Sequence, residues 1–107
     1  MNPKKISNST LKEEYFYMNH PSGLDIYVYP KKGYSSKYVI FGTNFGSINN
    51  TFKLPGQESY TVVPDGIAHY LEHKLFEGKQ GDAFKLFAKT GASANAYTSF
   101  DKTAYLF

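Results

Sequence analysis

Two histidines and a glutamate, His69, Glu72 and His73, are the side chains best placed to do chemistry in this sequence. They fall within residues 66–78, a stretch whose length and apolar content predict one amphipathic helix. Asp65 is positioned to cap its start and Gly78 to stop it. Helical residues turn by about 100° and rise about 1.5 Å each, so His69 and His73 stand on one face about 6 Å apart, where two imidazoles can converge on one ion. Glu72 sits about 60° to the side of His69, where its carboxylate reaches a water held by that ion instead of the ion itself. Zinc accepts neutral imidazoles or carboxylates at about 2.0 Å, leaves a fourth position open, and lowers the pKa of its bound water to about 7. A neighbouring carboxylate can then take the proton as that water attacks a carbonyl. Ile67, Ala68, Leu71 and Leu75 lie roughly 160° to 260° around from His69 and form the apolar stripe expected to meet a core.

Spacing alone leaves two readings open, because histidines at i and i+4 on a polar helix face are more often surface residues than ligands. The surrounding text is more specific. H-x-x-E-H is the inverted zinc-protease motif, and here it runs on as His69-x-x-Glu72-His73-x-x-Phe76-x-Gly78. About 20 residues later comes the stretch 91–105, which contains Asn95-Ala96-Tyr97-Thr98-Ser99. These two motifs, in this order and at this separation, closely resemble the pitrilysin, insulinase and mitochondrial processing peptidase family of zinc metallopeptidases. The resemblance is clear over 64–107 and looser over 14–46. Within the family, the run Lys74-Leu75-Phe76-Glu77 looks most similar to a bacterial subgroup associated with elongation factor P aminopentanol modification.

The resemblance implies that His69 and His73 are zinc ligands, that Glu72 is the general base, and that the third ligand is a glutamate on a later helix beyond position 107. It implies that the strand carrying Asn95 and Ala96 is an edge strand beside the zinc, with which an extended peptide or unfolded-protein substrate pairs. Strand addition gives main-chain affinity with little demand on side chains. Taken without the family, Asn95 reads as an ordinary turn or surface amide. The family further implies a second homologous half or partner subunit. Its domain is about twice this length, so the chain is expected to be an N-terminal piece: residues 1–13 a flexible segment, 14–107 the first part of one pitrilysin-like catalytic domain. A non-catalytic partner or scaffold subunit and a bare peptide-binding module are the alternatives to a zinc endopeptidase.

The elements that must position these groups are legible as an α+β pattern, a mixed and largely antiparallel sheet packed against helices. Residues 14–20 and 24–29 read as strands of a hairpin turned at Pro21-Ser22-Gly23, with His20 an exposed loop residue. Residues 37–47 read as a longer central strand, in which Gly42 and Gly46 suit a bulge or a close backbone approach. Residues 57–63 read as a short strand or extended lead-in, and Pro64 disfavours helix at Val63. A second helix is expected from its cap Asp82 to Lys89, with Gly91 as terminator. Two strands, 92–100 and 103–107, follow around Asp101-Lys102.

Composition removes several classes. At 107 residues the chain suffices for one modest domain burying roughly two-thirds of its unfolded surface. Having no cysteine, it can build neither a disulfide scaffold nor a thiolate metal site. Its net charge of +3 comes from lysines spread along the chain without an arginine, which argues for a solvated surface and against nucleic-acid binding. The polar opening shows no apolar signal core and no membrane span is visible, so a cytoplasmic location is the expectation.

Overall fold

The computed structural model describes residues 2–78 and 81–107 and divides them into two compact units, the first ending at Lys37 and the second beginning at Tyr38. It is α+β, and every strand pairing among the described residues is antiparallel.

The first unit is a three-stranded meander of β1 (Lys4–Asn8), β2 (Glu13–Asn19) and β3 (Asp25–Val28) in the order β1-β2-β3. Residues 4–8, expected to be a flexible lead-in, instead form β1, with Ile6 opposite Tyr15 on β2. Polar residues are no obstacle to an edge strand, because its ladder partners come from β2 and not from its own propensity. The β2–β3 hairpin forms where expected. Gly23 takes a left-handed φ of 87° and donates to the His20 carbonyl (2.8 Å), while Ser22 donates its backbone N–H to His20 Nδ1 (3.2 Å), so His20 is a turn residue. Tyrosines 15, 17, 27 and 29 lie along one face of the meander, with the rings of Tyr15 and Tyr29 stacked at 4.9 Å.

In the second unit, β10 (Thr103–Leu106) is flanked by β4 (Ile40–Thr43) and β9 (Asn95–Thr98), giving the order β4-β10-β9. The mixed sheet expected from the sequence is thus realised as separate small antiparallel sheets, with β5 (Thr51–Phe52) pairing β6 (Thr61–Val62) and β7 (Glu77–Gly78) pairing β8 (Gly81–Asp82). The expected strand 37–47 shortens to β4. Beyond Thr43 the chain leaves the ladder because Gly46 is pressed against the 99–102 turn: a Cβ there would stand 2.5 Å from the backbone C and O of Phe100 and from the Lys102 nitrogen. Thr103, 2% exposed, donates its hydroxyl to the Phe45 carbonyl (2.7 Å), and Ser47 N–H donates to Ser99 O (3.0 Å). The expected strand 92–100 likewise reduces to β9.

Helix α1 (Ile67–Phe76) packs on β9 and β10, and helix α2 (Ala83–Lys89) follows. Asp82 caps α2 as the sequence indicates, its carboxylate accepting from Phe84 N–H (2.9 Å), and Gly91 beyond its end has φ 75°. The start of α1 differs. Gly66, at φ 83°, is its N-cap, and Asp65 instead accepts from the Asn50 side-chain amide (2.9 Å). The helix ends at Phe76, one residue before β7 takes over at Glu77, so Gly78 is not its stop signal.

The buried hydrophobic residues among those described are Ala68, Phe76, Ala104 and Tyr105. The inward face of α1 is therefore Ala68, Glu72 and Phe76, at i, i+4 and i+8. Leu71 and Leu75 of the expected stripe are 45% and 67% exposed. Packing of an aromatic decides this. The Phe76 ring stacks on Phe84 at 4.4 Å and tilts against Tyr105 at 5.9 Å, which outweighs the branched aliphatics on the other side.

Candidate metal and peptide site

One turn of α1 carries His69 and His73 on its exposed side, with their Nε2 atoms 3.0 Å apart and their rings tilted by 58°. Glu72 projects from the same turn but toward β9, and it is part-buried. The three side chains each offer one ligand atom, and those atoms lie within 4.8 Å of one another. Two imidazoles and a carboxylate, all borderline or hard donors with no thiolate, suit zinc in type and number of ligands. The donor set and its convergence therefore fit the ion that the motif implies.

Glu72 is held from the sheet. The Thr98 hydroxyl, at the end of β9, donates to Glu72 Oε2. Oε1 makes no hydrogen bond among the described residues. Burial, and then the negative charge of Glu72, push the Tyr105 hydroxyl above its usual pKa of 10.0. Glu77, one further turn along, takes no part: its Oε2 accepts from Lys74 Nζ at 2.8 Å, and that bond together with the lysine charge holds its pKa below 4.5.

Asn95 and Ala96 open β9, whose only ladder partner among the described residues is β10. Asn95 is exposed and its Oδ1 accepts from Ala96 N–H (2.9 Å). Both residues line a cleft of about 450 Å³ together with Glu72, His73 and Phe76. The structure thus brings Glu72, His73, Asn95 and Ala96 to one cleft, while His69 joins them through His73. Reasoning from the sequence singled out all five and missed Thr98 and Tyr105. Strand alternation is the signal that could have found Thr98, since it places residue 98 on the same side of β9 as Ala96.

The H-x-x-E-H run on α1 is the motif that marks the inverted-motif class of metallopeptidases. Residues 61–107 match the model of the family described as insulinase (peptidase family M16), and over that segment the chain is similar to that family. It is 53% identical over 104 residues to a Bacillus subtilis (strain 168) protein named uncharacterized zinc protease YmfH, an alignment covering 97% of this chain and 24% of that protein. It is 41% identical over 54 residues to the probable mitochondrial-processing peptidase subunit beta of Schizosaccharomyces pombe, covering 47% of this chain and 12% of that one. The chain thus spans about a quarter or less of the curated relatives it matches. No solved structure gives a significant match. No helix among the described residues is long and apolar enough to cross a membrane.

Proposed function

We propose that this chain carries the zinc-binding and base-bearing part of a metallo-endopeptidase that cleaves peptides or small unfolded proteins in the cytoplasm. The observation that carries the reading is the convergence of His69, Glu72 and His73 within 4.8 Å on one turn of α1, with the glutamate anchored to the sheet and the histidines exposed. His69 and His73 hold the ion through Nε2. When bound, zinc supplies Lewis acidity to a water and to the scissile carbonyl oxygen. Glu72 Oε1 takes a proton from the attacking water and returns it to the leaving amine. Asn95 and Ala96, on the open side of β9, hold the main chain of an extended substrate by strand addition, consistent with the cleft they share with Glu72.

Two ligands from this segment leave the coordination short of the three protein ligands usual in a catalytic zinc site. A third comes from residues outside this chain, and a second homologous half or subunit completes the substrate site. The greater length of the two relatives, and the naming of one of them as a subunit, favour this.

The experiment is Glu72→Gln in the full-length protein, with zinc content and peptide cleavage measured side by side. Zinc stays near one equivalent while kcat drops by about a hundredfold or more, the loss expected of a general base. Undiminished cleavage by that variant defeats the assignment. Zinc retention with peptide binding but no cleavage in the wild type points to a binding module, and neither zinc nor binding to a non-catalytic scaffold.

A further inference from the structure

The three convergent groups leave Glu72 with two possible employments. Its carboxylate lies within 4.8 Å of both imidazole ligand atoms, close enough to serve either as a third ligand or as a base. Something must decide between them, because a carboxylate spent on the ion has lost much of its basicity. We propose that Thr98 is the positioning residue that makes this choice: its hydroxyl tethers Glu72 Oε2 to strand β9 and keeps the carboxylate off the metal, with Oε1 free to accept a proton. The proposal rests on the peptidase reading above and adds a residue to it.

Three observations support the tether. Thr98 Oγ1 donates directly to Glu72 Oε2 across 26 positions of sequence, a contact that neither local structure nor helix geometry requires. The hydroxyl is held on a firm mount. Thr98 pairs with Thr103 across the β9–β10 ladder, and Thr103 is 2% exposed with its own hydroxyl fixed to Phe45 O at 2.7 Å. Ser99, the next residue, donates to Lys102 O at 2.8 Å and closes the turn. Thr98 is itself half-buried, so water does not readily replace its hydroxyl. Hydrogen bonds of this kind orient groups around metals and are felt about 10–100-fold in affinity or activity when removed.

The same strand also carries Asn95 and Ala96, so one element would register the substrate main chain and aim the base at it. A β-branched side chain suits the role, because its χ1 is stiff and the hydroxyl direction is set by the strand backbone.

The test compares Thr98→Val, which keeps the shape and loses the donor, with Thr98→Ser, which keeps the donor. Each is made in the full-length protein alongside Glu72→Gln and Thr98→Val/Glu72→Gln. Two readouts are taken: steady-state kinetics on a peptide, and the visible spectrum and affinity of the cobalt(II)-substituted protein. For Thr98→Val, kcat falls about 10–100-fold with KM nearly unchanged, while cobalt binds at least as tightly and its spectrum shifts as a carboxylate enters the coordination. In the Glu72→Gln background the same substitution leaves the spectrum unmoved. Thr98→Ser restores both kcat and spectrum to wild type.

A purely structural role predicts the opposite metal result, with cobalt binding weakened and Thr98→Ser as damaging as Thr98→Val. Either that outcome or a Thr98→Val protein with wild-type kcat and spectrum overturns the proposal. Failure of the peptidase reading is seen separately, as undiminished cleavage by Glu72→Gln.

Discussion

The Nε2 atoms of His69 and His73 stand 3.0 Å apart across one turn of α1, although the helical rise alone separates their backbones by about 6 Å. The rings therefore lean toward one another over an exposed helix face, in the way two ligands meet over a shared ion. Their exposure separates their effects on binding from their effects on folding. His69→Ala and His73→Ala should each weaken zinc binding at least about tenfold, while shifting the unfolding free energy of the metal-free protein by no more than roughly 0.5 kcal/mol, as for ordinary surface substitutions. A competition titration with a chelator and a denaturant melt check the two halves. Loss of stability matching the loss of zinc, or zinc binding indifferent to both substitutions, contradicts the pairing.

Gly46 offers a prediction about the scaffold. A Cβ at that position would fall 2.5 Å from the Phe100 carbonyl group and the Lys102 nitrogen, which are backbone atoms unable to swing aside. Gly46→Ala must therefore push the 99–102 turn outward and strain the Thr103–Phe45 bond beneath it. The expected cost is about 1–3 kcal/mol, the range for overpacking. Gly42 has nothing within 4 Å of the same hypothetical atom, so Gly42→Ala is the internal control and should not suffer that loss. Equal melting temperatures for the two variants would refute the close approach.

Alkaline stability follows from Tyr105. Burial first, and the Glu72 charge second, raise its pKa above 10.0 in the folded chain. Its neutral form is thus favoured by folding, so the contribution is complete below about pH 10, where the unfolded tyrosine begins to ionise, and is lost as pH rises through the higher folded value. Tyr105→Phe should flatten that loss. Chemical denaturation at intervals between about pH 8 and pH 11 checks it, and an equally steep alkaline decline in both proteins would count against the assignment.

Much of this protein was open to reading along the chain. The hairpin at 13–28, the Asp82 cap, and the helical placement of His69, Glu72 and His73 all follow from interactions within a few residues, where turn chemistry and the 3.6-residue period act directly. The errors share another cause. Residues 4–8 have little intrinsic reason to extend and do so because β2 supplies a ladder. Residues 44–47 look like strand and leave it because Gly46 meets the Phe100 backbone.

Amino-acid order alone therefore determined the chemistry on offer: which groups share a helical turn, that no thiolate is among them, and that two strands follow around Asp101-Lys102. The tertiary structure decided how that chemistry is employed. It turned the Ala68–Glu72–Phe76 side of α1 inward in place of the leucine stripe, and set Glu72 against Thr98, 26 residues away. Periodicity assigns residues to faces of an element, but only packing between elements chooses which face is covered and what waits on the other side.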